Sequence, residues 1–165
     1  MQIHQQMEFD LPAADVWWAL GERFGDVARW APGITDSTLE GELGVGSIRT
    51  CVVSATWPFK PGRILERLTV FDRDAMKLTY QGIEGLPGFM KHGGSHWAVT
   101  PMGATRCRAE VRIEIEIVGL AVVLTPLIRM SINRALSPLR DSLGEYAASR
   151  HNSRASSLHE ARRSA

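Results

Sequence analysis

From Arg106 to Ile117 the chain switches between polar and apolar at every step. Cys107, Ala109, Val111, Ile113, Ile115 and Ile117 form one set, and Arg106, Arg108, Glu110, Arg112, Glu114 and Glu116 the other. A period of two is the mark of a β-strand with one covered and one wet face. The same period runs weakly through Ile3, Met7 and Phe9 and predicts a first strand ending at Leu11-Pro12. Val16, Trp17, Leu20 and Phe24 then recur at helical spacing, and Gly25 divides this stretch into two short helices. From Ile34 to Ile117 the reading is almost entirely strand. Turn-forming clusters punctuate it, among them "WPFKPG", "DRDA", "EGLPG" and "TPMGAT", and together they predict six consecutive antiparallel strands.

The pattern changes once more after Ile117. In "TPLIRMSINRALSPLRDSLGEYA" the positions Ile128, Ile132, Leu136, Leu139, Leu143 and Tyr146 are three or four apart, which predicts a long amphipathic helix. Thr125 is placed to cap it, Pro126 to occupy its first turn, and Pro138 to kink it or break it in two. An α+β architecture follows, with about seven antiparallel strands covered by a long C-terminal helix and two short helices after the first strand. After Ala148 the sequence turns to Ser, Ala and Arg with little to bury, so residues 1–148 read as the domain and 149–165 as a loose basic tail.

Composition narrows the function classes more than it names one. The 165 residues suit one domain, and 44% apolar with 22% charged residues is ordinary for a globular protein. Nineteen basic and eighteen acidic residues leave a net charge of +1, so no global field favours nucleic acid or an anionic membrane, and neither is expected as a partner. Cys51 and Cys107 stand far apart, without zinc or disulfide-framework spacing. No GxSxG, P-loop, Rossmann or HExxH pattern occurs, and no metal or other cofactor is expected. The polar start "MQIHQQMEFD" lacks the apolar region of a secretory signal, so a cytoplasmic location is expected, as a monomer or homodimer.

In order and spacing, "LPAADVWWALGERFGDVARWAPGI", "GELGVGSIRTCVV", "GRILERLTVFDRDAMKLTYQG" and "GSHWAVTPMGATRCRAEV" resemble the START-like superfamily. They are most similar to its polyketide cyclase/dehydratase branch, with distant relatives in plant abscisic-acid receptors and the birch pollen allergen. The resemblance spans roughly Met7 to Ala147. It implies a helix-grip fold and a cavity between sheet and long helix that takes up an apolar small molecule: a polyketide-like, aromatic or lipid ligand. Some members catalyse cyclisation or dehydration and others only bind or carry, so enzyme and carrier both stay open. A third reading is a protein- or membrane-interaction role through the apolar stretch Gly119 to Leu124 and the basic tail.

One charge breaks the strand pattern. In "GRILERLTVFD", Glu66 falls on the same face as Ile64, Leu68 and Val70, and a buried carboxylate needs a cation or donors. In the family pattern the Arg of Gly-x-x-Arg points inward on a neighbouring strand. That makes Arg49 the partner and turns Cys51 and Val53 inward, although Ile48, Thr50 and Val52 form an equally regular inner set. The pair either fixes strand register or forms the polar end of an apolar pocket. Because a paired Arg lowers a carboxylate's pKa, it favours binding over proton abstraction by Glu66. Tyr80, beside Leu78 on its strand face, is a donor, a general acid or a core tyrosine. Ser95 and Trp97 share the next inner face, and Trp97 can stack on a flat ligand or fill the core. His96 is a weaker acid/base candidate, since strand parity turns it outward. Trp57, Phe59, Phe89 and Met90 sit in loops that the resemblance places at the cavity mouth. Ile132, Leu136 and Leu139 would be the helix's contribution to the cavity wall.

Overall fold

The computed structural model describes residues 1–55 and 60–163, with side chains as far as residue 153. Seven strands form one antiparallel sheet: β1 (Gln2–Phe9), β2 (Ile34–Glu40), β3 (Ile48–Val53), β4 (Gly62–Asp72), β5 (Lys77–Glu84), β6 (Met90–Pro101) and β7 (Cys107–Ile117). Their order is β1-β7-β6-β5-β4-β3-β2, so all neighbours but β1 and β7 are consecutive in the chain. The alternation of β7 is realised as read: Cys107, Ala109, Val111 and Ile115 are buried. Its opposite face carries exposed bonds such as Arg108 to Glu8 at 2.9 Å and Gln6 to Glu110 at 2.8 Å.

Between β1 and β2 the two expected short helices are irregular. A five-residue helix α1 (Ala13–Trp17) passes into a π-type turn (Trp18–Glu22) and then a 3-10 segment (Phe24–Arg29). This stretch delivers Val16, Trp17, Leu20, Phe24, Val27 and Trp30 into the core, all at most 7% exposed. Gly21 permits its tightness, since a Cβ there would lie 2.6 Å from the Trp17 ring.

The C-terminal helix is divided, as Pro138 requires. A 3-10 turn (Gly119–Leu124) leads into α2 (Thr125–Leu136), and α3 (Leu139–Arg163) follows the break. Thr125 does not cap α2. The 3-10 turn runs straight into the helix, so Thr125 is already helical, and its hydroxyl donates to the Val122 carbonyl at 2.7 Å. The segment read as a loose tail is helical through Arg163. Its first turn is pinned to the domain: His151 Nδ1 lies 2.9 Å from the buried Asp15 carboxylate, and Arg150 donates to the Ala14 carbonyl at 3.1 Å. Composition alone hid this anchoring, which depends on partners far away in sequence.

Candidate functional site: an apolar cleft and the buried pair beside it

The inner face of the sheet is filled along most of its length. Leu68, Leu78, Trp97, Val99 and Val111 pack with the α1 region and with Leu139, Leu143 and Ala147 of α3. Trp30 meets Trp97 edge-on at 6.2 Å between ring centres. These bulky rings occupy the volume that would otherwise be ligand space. Towards α2 the packing stops. A cavity of about 630 Å³ opens there between the ends of β3 and β4, the Pro32–Ile34 turn, the β5–β6 loop and the inner side of α2.

Of the residues singled out in the sequence, Val53, Ile64, Phe89, Met90, Ile132 and Leu136 line this cavity. Leu68, Leu78, Trp97 and Leu139 are instead buried in the filled core, and Cys51 is 1% exposed. Ser95, also buried, stands opposite Tyr80 on the neighbouring strand. Trp57 and Phe59 lie outside the described residues. His96 is on the wet face, 3.1 Å from the Thr79 hydroxyl and 3.7 Å from Glu114. Val70 is 46% exposed rather than inward. A bulge at Thr69, where the register slips between Leu68 and Val70, reverses the parity and turns Phe71 in against Trp17 at 5.7 Å.

The loops supply much of the wall that the periodicity did not reveal: Pro32, Gly33, Leu86, Pro87 and Gly88, with Ser131 and Ala135 from α2. Two glycines set the loop's path. Gly85 has φ +77°, and a Cβ on it would meet the Arg63 carbonyl oxygen at 1.9 Å. Gly82 leaves room for Leu86, whose Cδ2 would stand 2.7 Å from an added Cβ, so the loop folds back over β5. The "EGLPG" signal marked the turn but not the direction it takes.

Arg49 and Glu66 are directly opposite on β3 and β4, and both turn to the inner face. Arg49 is 3% exposed. It donates to Glu66 Oε2 from Nε at 2.9 Å and from Nη2 at 2.5 Å, and to the Phe24 carbonyl from Nη1 at 2.9 Å. Its guanidinium sits 3.9 Å from the Phe24 ring centre and 4.7 Å from that of Tyr80, so it is held by cation–π contacts as well as by hydrogen bonds. The Cys51 thiol donates to the same Glu66 oxygen at 3.4 Å. Burial opposes the Arg49 charge, but Glu66, Tyr80 and Cys51 outweigh it and hold the guanidinium above its ordinary range. Burial pushes the Cys51 thiol up to about 12 and, with Glu66 nearby, raises Tyr80. Both are therefore weak acids at neutral pH.

This cluster lies deeper in the sheet than the cavity lining. Ile64, two residues before Glu66, is the lining residue, and neither Arg49 nor Glu66 is among that set. The arrangement ties three strands of chain together: β3, β4 and the Phe24 turn. Glu66 Oε2 accepts from three donors, two on Arg49 and the Cys51 thiol. Among the described residues no cluster of His, Cys, Asp and Glu could hold a metal ion.

Comparison with solved structures agrees with this architecture. The Zhui aromatase/cyclase from Streptomyces sp. R1128 superposes with a TM-score of 0.77 at 14% identity, covering 91% of this chain and 94% of that one. A protein from Thermus thermophilus gives 0.74 at 15% identity, over 90% and 98%. Norcoclaurine synthase from Thalictrum flavum gives 0.67 at 20% identity, over 92% and 96%. At such identities the likeness establishes the helix-grip fold and nothing of the chemistry. No curated protein sequence matches the chain. A family model described as "Polyketide cyclase / dehydrase and lipid transport" matches residues 1–144, and the chain belongs to that family.

Proposed function

We propose that the protein binds an apolar small molecule, polyketide-like, aromatic or lipid, in the cavity between sheet and α2. The observation that carries this is the cavity itself. About 630 Å³ is walled by Ile34, Val53, Ile64, Leu86, Phe89, Met90, Ile132 and Leu136, and among the described residues the polar side chains of the lining are Ser54, Lys60 and Ser131. That volume and lining suit a ligand held by burial of apolar surface, with few directional contacts. Membership of a family that spans cyclases and lipid transport supports the same ligand class.

An enzymatic reading, cyclisation or dehydration of a polyketide-like chain, is supported by the family and by the likeness to an aromatase/cyclase. On that reading the cavity acts mainly by folding a flexible chain into a reactive conformation. Glu66 and Tyr80, with Arg49 beside them, would act from behind the wall as positioning groups. The Glu66 carboxylate is already committed to Arg49, which favours the binding role as the primary one.

Native mass spectrometry of the protein from its own host, followed by extraction of what co-purifies, tests the binding reading. A stoichiometric apolar molecule, lost on substituting Ile132→Trp to fill the cavity, is the expected result. An empty protein that also fails to bind the fluorophore phenylnaphthylamine overturns it. Probe binding by an empty protein, with turnover of polyketide-chain analogues, moves the assignment to the enzyme.

A further inference from the structure

The outward side of α2 and of the 3-10 turn before it carries a second apolar feature, next to the cavity. Leu120, Val123, Leu127 and Met130 are 91, 79, 43 and 62% exposed. They recur at intervals of three and four and so form one stripe, which Arg134 continues one turn further on. Contiguous exposure of this kind on a globular domain marks an interaction surface. Along this segment of the sequence the charge is one-sided, although Arg129 donates to the Gln2 carbonyl and Arg140 to the Glu8 carbonyl and Asp141, which leaves Arg134 as the cation on the stripe itself. Between Glu116 and Asp141 the chain has no acidic side chain and carries Arg129, Arg134 and Arg140.

We infer that this stripe docks the protein on an anionic lipid surface, with the apolar side chains in the acyl boundary and Arg134 at headgroup level. Leu127, Met130 and Arg134 edge an open groove with Pro32, Gly33 and Pro138, but Leu120 and Val123, among the described residues, project beyond it from a single turn, and that projecting pair suits a fluid boundary better than a rigid protein partner. A second copy of the chain would bring the same Arg134 to the contact, and no acidic residue belongs to the stripe to meet it. The helical run Gly119–Ser153 is long and apolar enough to cross a membrane by length and composition. The break at Pro138 and the charges of Arg129 and Arg134 favour a helix lying in the interface plane. The opposite side of α2 carries Ile132 and Leu136 into the cavity. On the ligand-binding reading above, α2 is then the cavity wall on one side and the membrane contact on the other, so docking brings the cavity within one helix diameter of the bilayer.

Flotation with vesicles tests the docking without reference to any cargo. Vesicles of phosphatidylcholine containing about 30% phosphatidylglycerol should carry the protein up, and pure phosphatidylcholine should carry much less. The double substitution Leu120→Glu and Val123→Glu should lower the bound fraction about tenfold or more. Arg134→Gln or added salt should lower it several-fold. Phenylnaphthylamine binding in vesicle-free solution should be unchanged in all of them, which separates failure of docking from failure of the cavity. Should the double variant not fold, Leu120→Cys labelled with an environment-sensitive dye gives the same readout, since Cys51 and Cys107 are buried; a blue shift with anionic vesicles is expected. No flotation, flotation indifferent to the glutamates, or a wild-type dimer in sedimentation that the glutamates dissolve would overturn the proposal, the last in favour of self-association.

Discussion

Helices α2 and α3 come from one continuous apolar pattern, yet the fold uses them in opposite ways. α3 sinks Leu139, Leu143 and Ala147 to 3, 0 and 0% exposure against the sheet and the α1 region. α2 buries only Ile128 fully, spans the cavity with Ile132 and Leu136, and turns Leu127 and Met130 to solvent. The difference shows that amphipathic spacing gives a helix a direction to face but does not say whether its apolar side meets protein or empty space. Pro138 makes the division possible, because the two halves are free to tilt independently.

The sharpest way to break this contrast is in the anchored region. Arg49→Met leaves the Glu66 carboxylate part-buried without its cation and should cost about 3–5 kcal/mol in urea denaturation. Adding Glu66→Gln should recover part of that loss, which a purely additive pair would not do. Leu143→Ala, at a fully buried position of α3, should destabilise by about 2–5 kcal/mol, whereas Leu127→Ala on α2 should stay within about 0.5 kcal/mol. Equal costs for the two leucines would abolish the distinction between the helices. Leu136→Trp should reverse the pattern, reducing phenylnaphthylamine affinity about tenfold or more while moving the midpoint of thermal unfolding only slightly.

The remaining effect is in pH and is confined to alkaline conditions. Cys51 is raised in the folded protein to about 12, from an ordinary value of 9.0, and Cys107 to about 11. The unfolded chain therefore loses these protons first. The stability associated with them is complete below pH 9 and declines as pH rises from about 9 towards 12. Replacing both with Ala should reduce the decline that begins near pH 9, leaving what the raised tyrosines Tyr80 and Tyr146 contribute above about pH 10, and leave the slope near neutrality unchanged.

Much of the fold could be read from the chain, because it rests on short-range periodicity. The strict alternation of β7 and the proline at 138 each decide their local structure without help from distant residues. The Arg49–Glu66 pair was also legible, since an inward charge must be matched and the family pattern supplied its partner. The cavity was only half legible. Strand parity separates inner from outer positions, but Leu68 and Ile64 are both inner and only Ile64 lines the cavity. Which inner residues face a void depends on where Trp17, Phe24 and Trp30 deposit their volume and on how far α2 stands off the sheet. Neither quantity has a local sequence signature. The bulge at Thr69 was hidden for a similar reason: it becomes visible only when two strands are paired.

The two prolines that bound α2 have a further consequence, for how this family member can change over time. Along the C-terminal helices, residues that hold the fold together and residues that shape the cavity lie on separate segments, joined at Pro138 where helical hydrogen bonding is already interrupted. Substitutions at Ile132, Ser131, Ala135 or Leu136 can alter cavity volume and chemistry while the Leu143 and Arg49 anchors keep the chain folded. New ligand preferences are thereby open to single amino-acid replacements that selection on folding does not remove.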